Sequence, residues 1–420
     1  MLAEARISDV PTSGRDRLPA YSVFAALLAA AGLPIYIHAP KFYVDQYGVS
    51  LAALGAVLFV LRLLDVVQDP LFGRLSERWR AHRGLSVGVG CAVMALGMVG
   101  LFAVPPLLPP LMWFALMLTL VFSAFSFLTI NFYAQGVLKA ASMAGQGHLR
   151  LARWRETGAL LGVCVASVAP VALGVAMAAP FAGFAAGFAC LALFAAWIMR
   201  SEWSTEGTAP STGFGTVLRD PLARRLLIIA LLNAAPVAVS STLFLFFVES
   251  RLEAPGLEGP LLLVFFLSAA CAAPVWGMIA ERYGARSTLI TAMVLAICAF
   301  GFTLTLGPGD WVMFAVICVA SGAALGADLT LLPAIFATRM GQISPSASEG
   351  FGLWSFVSKF TLALAAISLL PALDRAGFQS GTAENSQEAL ALLTLLYAAV
   401  PCGLKVLAIL LLLATPIEED

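Results

Sequence analysis

The sequence predicts an all-α membrane protein of twelve transmembrane helices in two six-helix bundles. Composition, the spacing of apolar runs and a one-sided distribution of basic residues carry that prediction. Of the 420 residues, 60% are hydrophobic and 11% are charged, and the mean hydropathy is +0.93. This is too apolar and too poor in charge for a water-soluble globule. A spanning helix takes roughly 20 apolar residues. Such stretches fall near 20–45, 51–78, 84–105, 109–138, 156–178, 180–200, 221–248, 259–281, 287–306, 310–338, 350–371 and 388–415.

Lys and Arg near helix ends accumulate on the cytoplasmic side of a membrane. With both termini inside, eighteen of the 24 Lys and Arg are cytoplasmic, against Lys41, Arg251 and Arg375 outside. Losing one helix would invert every later loop, so the asymmetry supports an even count as well as an orientation. The organisation that follows is a cytoplasmic tail over 1–19, a bundle over 20–200, a linker over 201–220, a bundle over 221–415 and a tail over 416–420. The expected location is a bacterial inner membrane. The polar first 19 residues lack an apolar signal-peptide core, so the first helix is expected to stay as an uncleaved anchor.

Zero net charge without a basic tract argues against a nucleic-acid partner. Seven cysteines lie inside apolar stretches with no paired spacing and read as small core residues. Three scattered histidines give no metal site, and no HExxH, GxSxG or P-loop spacing is present. No cofactor and no enzymatic activity are expected.

The longest internal polar stretch, Ser201 to Arg219, separates two copies of one phrase. Gly73-Arg-Leu-Ser-Glu77-Arg78 follows the second span, and Gly277-Met-Ile-Ala-Glu281-Arg282 follows the eighth. A glycine for close helix contact, followed by an acid–base pair at the helix end, suits a latch between neighbouring helices. Recurrence after six helices marks a parallel repeat.

The second span carries Arg62-Leu-Leu-Asp65-Val-Val-Gln-Asp69-Pro70. Spacings of three and four put Arg62, Asp65 and Asp69 on one face. At about 1.5 Å per residue, Asp69 lies roughly 13 Å and Asp65 roughly 20 Å from Arg78, inside the hydrocarbon layer. An acid there costs on the order of 3 kcal/mol and usually marks an ion or substrate path. The plainer reading is a buried Arg62–Asp65 pair that only joins helices. Asp328 in Gly326-Ala-Asp328 and Lys359 in Gly352-Leu-Trp-Ser-Phe-Val-Ser-Lys359 add charge at membrane depth. Lys405 reads equally as half of a structural pair or as a snorkelling residue.

The RxxDxxxDP phrase, the Gly-Ala-Asp of the tenth span and the run from Phe351 to Lys359 together resemble the glycoside–pentoside–hexuronide:cation symporter family of the major facilitator superfamily. The resemblance covers nearly the whole chain. It implies cation-coupled (H+ or Na+) symport of a small solute, a sugar or glycoside, by alternating access in a lipid-embedded monomer. It makes Asp65 and Asp69 cation ligands, with Thr129 and Asn131 near the place of the family's fourth-span acid. It puts Arg62 near the solute and makes Lys359 a charge partner close to the cation and sugar sites; Trp354, Asp328, Tyr133, Asn233 and Tyr36 are further candidate solute contacts. The chain departs from the family pattern at Asn131 itself, in the segment Ala134-Gln-Gly-Val137 and in a first span without Asp or Glu from Tyr21 to His38. Tyr36 and His38 either line the cavity or sit in the outer aromatic belt. Arg150, Arg153, Arg155 and Glu156 read first as positive-inside bias. Alternatives to a sugar carrier are a carrier of a lysolipid-like amphiphile and a non-transporting assembly factor of the same fold.

Overall fold

The computed structural model describes residues 17–143, 146–203, 213–344, 347–378 and 385–417, and every regular element in them is helical. In the first half these are α1 (Leu18–Ala30), α2 (Leu33–Tyr47), α3 (Leu51–Arg78), α4 (Arg83–Phe102), α5 (Pro110–Ala141), α6 (Gly147–Gly174) and α7 (Pro180–Met199). After a seven-residue helix, α8 (Gly213–Arg219), come α9 (Pro221–Phe246), α10 (Glu258–Tyr283), α11 (Ala285–Gly301), α12 (Trp311–Ile343), α13 (Ser348–Arg375), α14 (Gln387–Thr394) and α15 (Val400–Leu413). Nine of the described helices are long and apolar enough to cross a membrane. The broken pair α1–α2 and the 28-residue α3 and α13, each about 42 Å long, complete twelve.

The first span breaks where Gly32 leaves helical geometry (φ −92°, ψ −117°) just before Pro34. The last contains a π-helical turn, Leu395–Ala399, immediately before Pro401. The fifth span begins nine residues earlier than hydropathy suggested, because Arg150, Arg153 and Arg155 belong to α6. Their charges are accommodated by partners: Arg155 pairs with Glu156 at 2.7 Å, and Arg153 reaches Glu281 at 3.3 Å. The described part of the stretch between the bundles is not purely loop. In α8, Val217 is fully buried and Phe214 lies 4.9 Å beneath the Arg74 guanidinium. Cysteines 190, 271 and 298 are exposed on the protein surface, contrary to the expectation of core positions.

Within each bundle, one pair of helices touches backbone to backbone. A Cβ on Gly158 of α6 would lie 2.2 Å from the Ser22 carbonyl oxygen of α1, and one on Gly322 of α12 would lie 2.2 Å from that of Phe265 in α10. Gly162 and Gly326, four residues on, repeat the contact. Lipid offers no hydrophobic drive between helices, so small-residue approach of this kind supplies packing instead. Gly158→Leu or Gly322→Leu is expected to cost at least about 1–3 kcal/mol, read as a lower melting midpoint and loss of the monodisperse peak in size-exclusion chromatography.

The two bundles share apolar core mainly at the end that carries Arg74, Arg80, Arg282 and Arg339, called here the basic end. There Ala134, Val137, Leu149 and Ala152 of the first half join Leu331, Ala334, Phe336 and Met340 of the second in one cluster. At mid-depth Leu160 of α6 packs with Ala269, Ala273 and Leu325. At the opposite end, the second half's cluster around Phe247, Phe314 and Tyr397 contains no described residue of the first half. The apolar clusters that the halves share therefore lie at the basic end and at mid-depth.

At the basic end, Asp220 caps α9 by accepting from the Ala223 N–H at 2.7 Å, and it grips Arg339 of α12 through both oxygens. The hydrogen bonds from Arg339 hold the Asp220 carboxyl below its ordinary value. A depressed carboxylate stabilises the fold above the unfolded pKa of about 3.9 and loses that contribution as pH falls through the lower folded value. Acid titration of the melting midpoint is therefore expected to be shallower in Asp220→Asn than in the wild type.

Candidate functional site

Asp69 is the centre of the site. It is completely buried, and the groups that bond its carboxylate come from the opposite half of the protein. Lys359 Nζ donates to Oδ1 at 3.0 Å and Ser355 Oγ to Oδ2 at 2.7 Å, both from α13. Ser355 and Lys359 are four residues apart and so share one helix face. Lys359 also bonds Ser126 Oγ of α5 and lies 3.7 Å from Asp65 Oδ2. Asp65 accepts from Gln68 at 2.7 Å, and Ser123 of α5 donates to Gln68 at 3.0 Å. An ammonium and two carboxylates thus meet where α3, α5 and α13 converge, with amide and hydroxyl groups around them.

This arrangement corrects the α5 contribution. Asn131 does not reach the acids: its Oδ1 accepts from Ser76 Oγ at 2.8 Å, and the Ser348 hydroxyl lies 3.1 Å from Ser76 Oγ. It lies five residues beyond Ser126, about 7.5 Å nearer the basic end. The Thr129 hydroxyl has no hydrogen-bond partner among the described residues. The α5 groups at the level of the acids are Ser123 and Ser126, which no charge or motif signalled in the sequence.

A second group lies towards the basic end. The Arg155 guanidinium stacks 3.9 Å over the Tyr133 ring, and Tyr133 donates to Glu156 at 3.2 Å. Phe351 lies 4.9 Å from Tyr133, and Trp354 lies 4.9 Å from Phe336. Arg155 and Glu156 are both buried, so loop-charge bias does not describe them. Asp328 and Asn233 are not brought to this group or to Asp69. Both hold Lys405 inside the second bundle, with the Asn233 contact at 2.7 Å. This resolves Lys405 as a paired residue. His38 meets the Ser167 carbonyl at 2.9 Å and the Phe181 ring, within the first bundle. The side chains of Arg62 and Tyr36 lie outside the described residues.

The two phrases expected to form a latch make close helix contacts, with other ion-pair partners than the adjacent arginines. A Cβ on Gly73 would lie 3.2 Å from the Ser348 carbonyl oxygen of α13, and one on Gly277 would lie 2.7 Å from the Arg153 side chain of α6. Each glycine therefore faces the other bundle. Glu77 pairs with Arg80 at 2.9 Å and Glu281 with Arg153 at 3.3 Å, rather than with the adjacent Arg78 and Arg282. Successive helical residues diverge by about 100°. With each glutamate turned inward, Arg78 stays exposed and Arg282 lies over Tyr283 at 5.4 Å.

Comparison with known proteins agrees with this architecture. The structure resembles a bacterial homologue of the iron transporter ferroportin in an outward-facing state, with a TM-score of 0.69 at 14% identity over 95% of this chain and 99% of that one. It also resembles the Escherichia coli fucose:proton symporter, with a TM-score of 0.64 at 13% identity over 93% and 98%. At these identities the likeness establishes the fold, which is that of major facilitator transporters. In sequence, the sodium-dependent lysophosphatidylcholine symporter 1 of Gallus gallus is 29% identical over 168 residues, which is 38% of this chain and 31% of that protein's length. The model of the MFS/sugar transport protein family matches residues 19–419, and the chain belongs to that family of integral membrane transporters.

Proposed function

We propose that the chain is a cation-coupled symporter of a small solute, a sugar or glycoside, working by alternating access in a bacterial inner membrane with the basic end in the cytoplasm. The supporting observation is that the buried Asp69 carboxylate of one bundle is bonded by Lys359 and Ser355 of the other. Its charge state then governs whether α3 and α13 stay together. A proton or sodium ion that neutralises Asp69 weakens its hold on Lys359, and the basic end can open while the opposite end closes. Asp65 stays beside Lys359 and limits the charge left uncompensated. The solute binds beside this cluster, where Gln68, Ser123, Ser126 and Ser355 supply amide and hydroxyl groups suited to sugar hydroxyls.

A lysolipid-like amphiphile is the second reading, favoured by the name of the chicken relative and by a first span without an acid. A thermal-shift screen of detergent-purified protein separates the two. Sugars, glycosides, uronates and lysolipids are each tested with and without sodium at two pH values. The leading reading expects a glycoside to raise the melting midpoint in a cation-dependent way, and Asp69→Asn to remove that dependence. A shift with lysolipid alone replaces the solute class. No shift at all, together with a stably co-purifying protein, replaces transport with assembly.

A further inference from the structure

A cavity of about 70 Å³ lies inside the second bundle between α9, α11, α12 and α15, and Asp328 and Lys405 supply its charged wall. One water needs about 10–15 Å³ of such space. The cavity therefore suits several waters and is too small for a sugar. Asp328 stands near the middle of the 33-residue α12. It is 7% exposed and Lys405 is 5% exposed. Asp328 Oδ2 holds Lys405, whose Nζ also bonds Asn233 Oδ1. Asp328 Oδ1 makes no hydrogen bond among the described residues. A pair that served only to join helices gains most when every lone pair is satisfied. Here one carboxylate oxygen is left without a hydrogen bond on a residue that lines a water-sized space.

The walls are also interrupted. Pro236 of α9 and Pro401 of α15 both line the cavity, and the π-helical turn Leu395–Ala399 leads directly into Pro401. Proline removes a helical donor and leaves a carbonyl free for water. The other polar groups on the cavity are Ser240, Ser321 and Cys402, and Cys298 of α11 neighbours Cys402. Among the described residues, Asp328 and Lys405 are its sole charged lining.

We propose that Asp328 is a proton-binding site within the second bundle, separate from the Asp65–Asp69–Lys359 cluster and loaded through this hydrated cavity. A proton delivered as hydronium through the cavity adds to the Asp328 carboxylate, leaving water, and the carboxylate becomes a neutral acid. Lys405 remains an ammonium held by Asn233 and water, and the tie between α12 and α15 loosens. The inference needs no assumption about the solute or about coupling at Asp69.

The test is pH-difference infrared spectroscopy on purified protein, following the carboxylic C=O band that appears on acidification. The wild type is expected to show a band that is absent from Asp328→Asn and from the double variant Asp328→Asn/Lys405→Met, yet present in Asp69→Asn. Lys405→Met removes the counter-charge and is expected to raise the proton affinity of the band about ten- to a thousandfold. Filling the cavity with Ala296→Phe is expected to slow the band's appearance after a pH jump. If Asp328→Asn does not fold, the double variant, which leaves no unpaired charge, supplies the same comparison. The proposal is overturned by a band that survives removal of Asp328, or by a wild-type pH response unchanged in Lys405→Met. Loss of the band in Asp69→Asn alone would assign it to the other site and equally overturn it.

Discussion

Asp69→Asn is expected to abolish gradient-driven accumulation of solute in reconstituted vesicles while leaving solute exchange without a gradient in place. The isosteric amide keeps its contact with Ser355 but no longer titrates or carries charge. Lys359 retains Ser126 and moves under the influence of Asp65, 3.7 Å away. The charge is therefore lost without leaving the ammonium stranded, and the melting midpoint should stay within about 3 °C of wild type, equivalent to about 1 kcal/mol. Asp65→Asn is expected to impair coupling in the same assay. Full coupled transport by both variants would disprove the mechanism.

Lys359→Ala is expected to have the largest effect on stability of any single change at the site. It leaves Asp69 fully buried with Ser355 as its remaining hydrogen-bond partner among the described residues, and breaking a buried pair by removing one member costs about 3–5 kcal/mol. Because Asp69 and Lys359 belong to different bundles, the damage should concentrate at the seam between α3 and α13. A cysteine placed at Ser348 in a cysteine-free background should then react with a thiol reagent faster than in the parent. The double variant Asp69→Asn/Lys359→Met removes both charges and should recover most of the melting midpoint without recovering coupling. A single variant as stable as wild type, with an unreactive cysteine, would show that the pair does not hold the halves together.

The sequence made visible what local spacing encodes. Apolar run length located the helices, and intervals of three and four residues placed Asp65 and Asp69 on one face of α3. Ser355 was legible by the same rule, one turn from Lys359. Partners distant along the chain were not: Lys359 meets Ser126 across 233 positions, and Lys405 meets Asp328 across 77. Hydroxyl residues such as Ser123 and Ser126 are ordinary in an apolar helix, so nothing in composition separated them from packing. Arg155 and Glu156 misled for a different reason. Adjacent opposite charges near a predicted helix end resemble a solvated loop, and only the stacking on Tyr133 makes their burial intelligible. The repeated glycine phrase marked two positions that approach the opposite bundle, but the arginine next to each glutamate is not its ion-pair partner.

Among the described residues the halves share apolar clusters at the basic end and at mid-depth, and the cluster at the opposite end belongs to the second half alone. A rigid object inserted between the bundles at that opposite end, such as the long third loop of a single-domain antibody, would prop them apart by filling space. Such a binder would need no contact with Asp69 to arrest the protein. It would hold the Asp69–Lys359 tie closed from the far side of the membrane, and its affinity would fall in variants that weaken that tie.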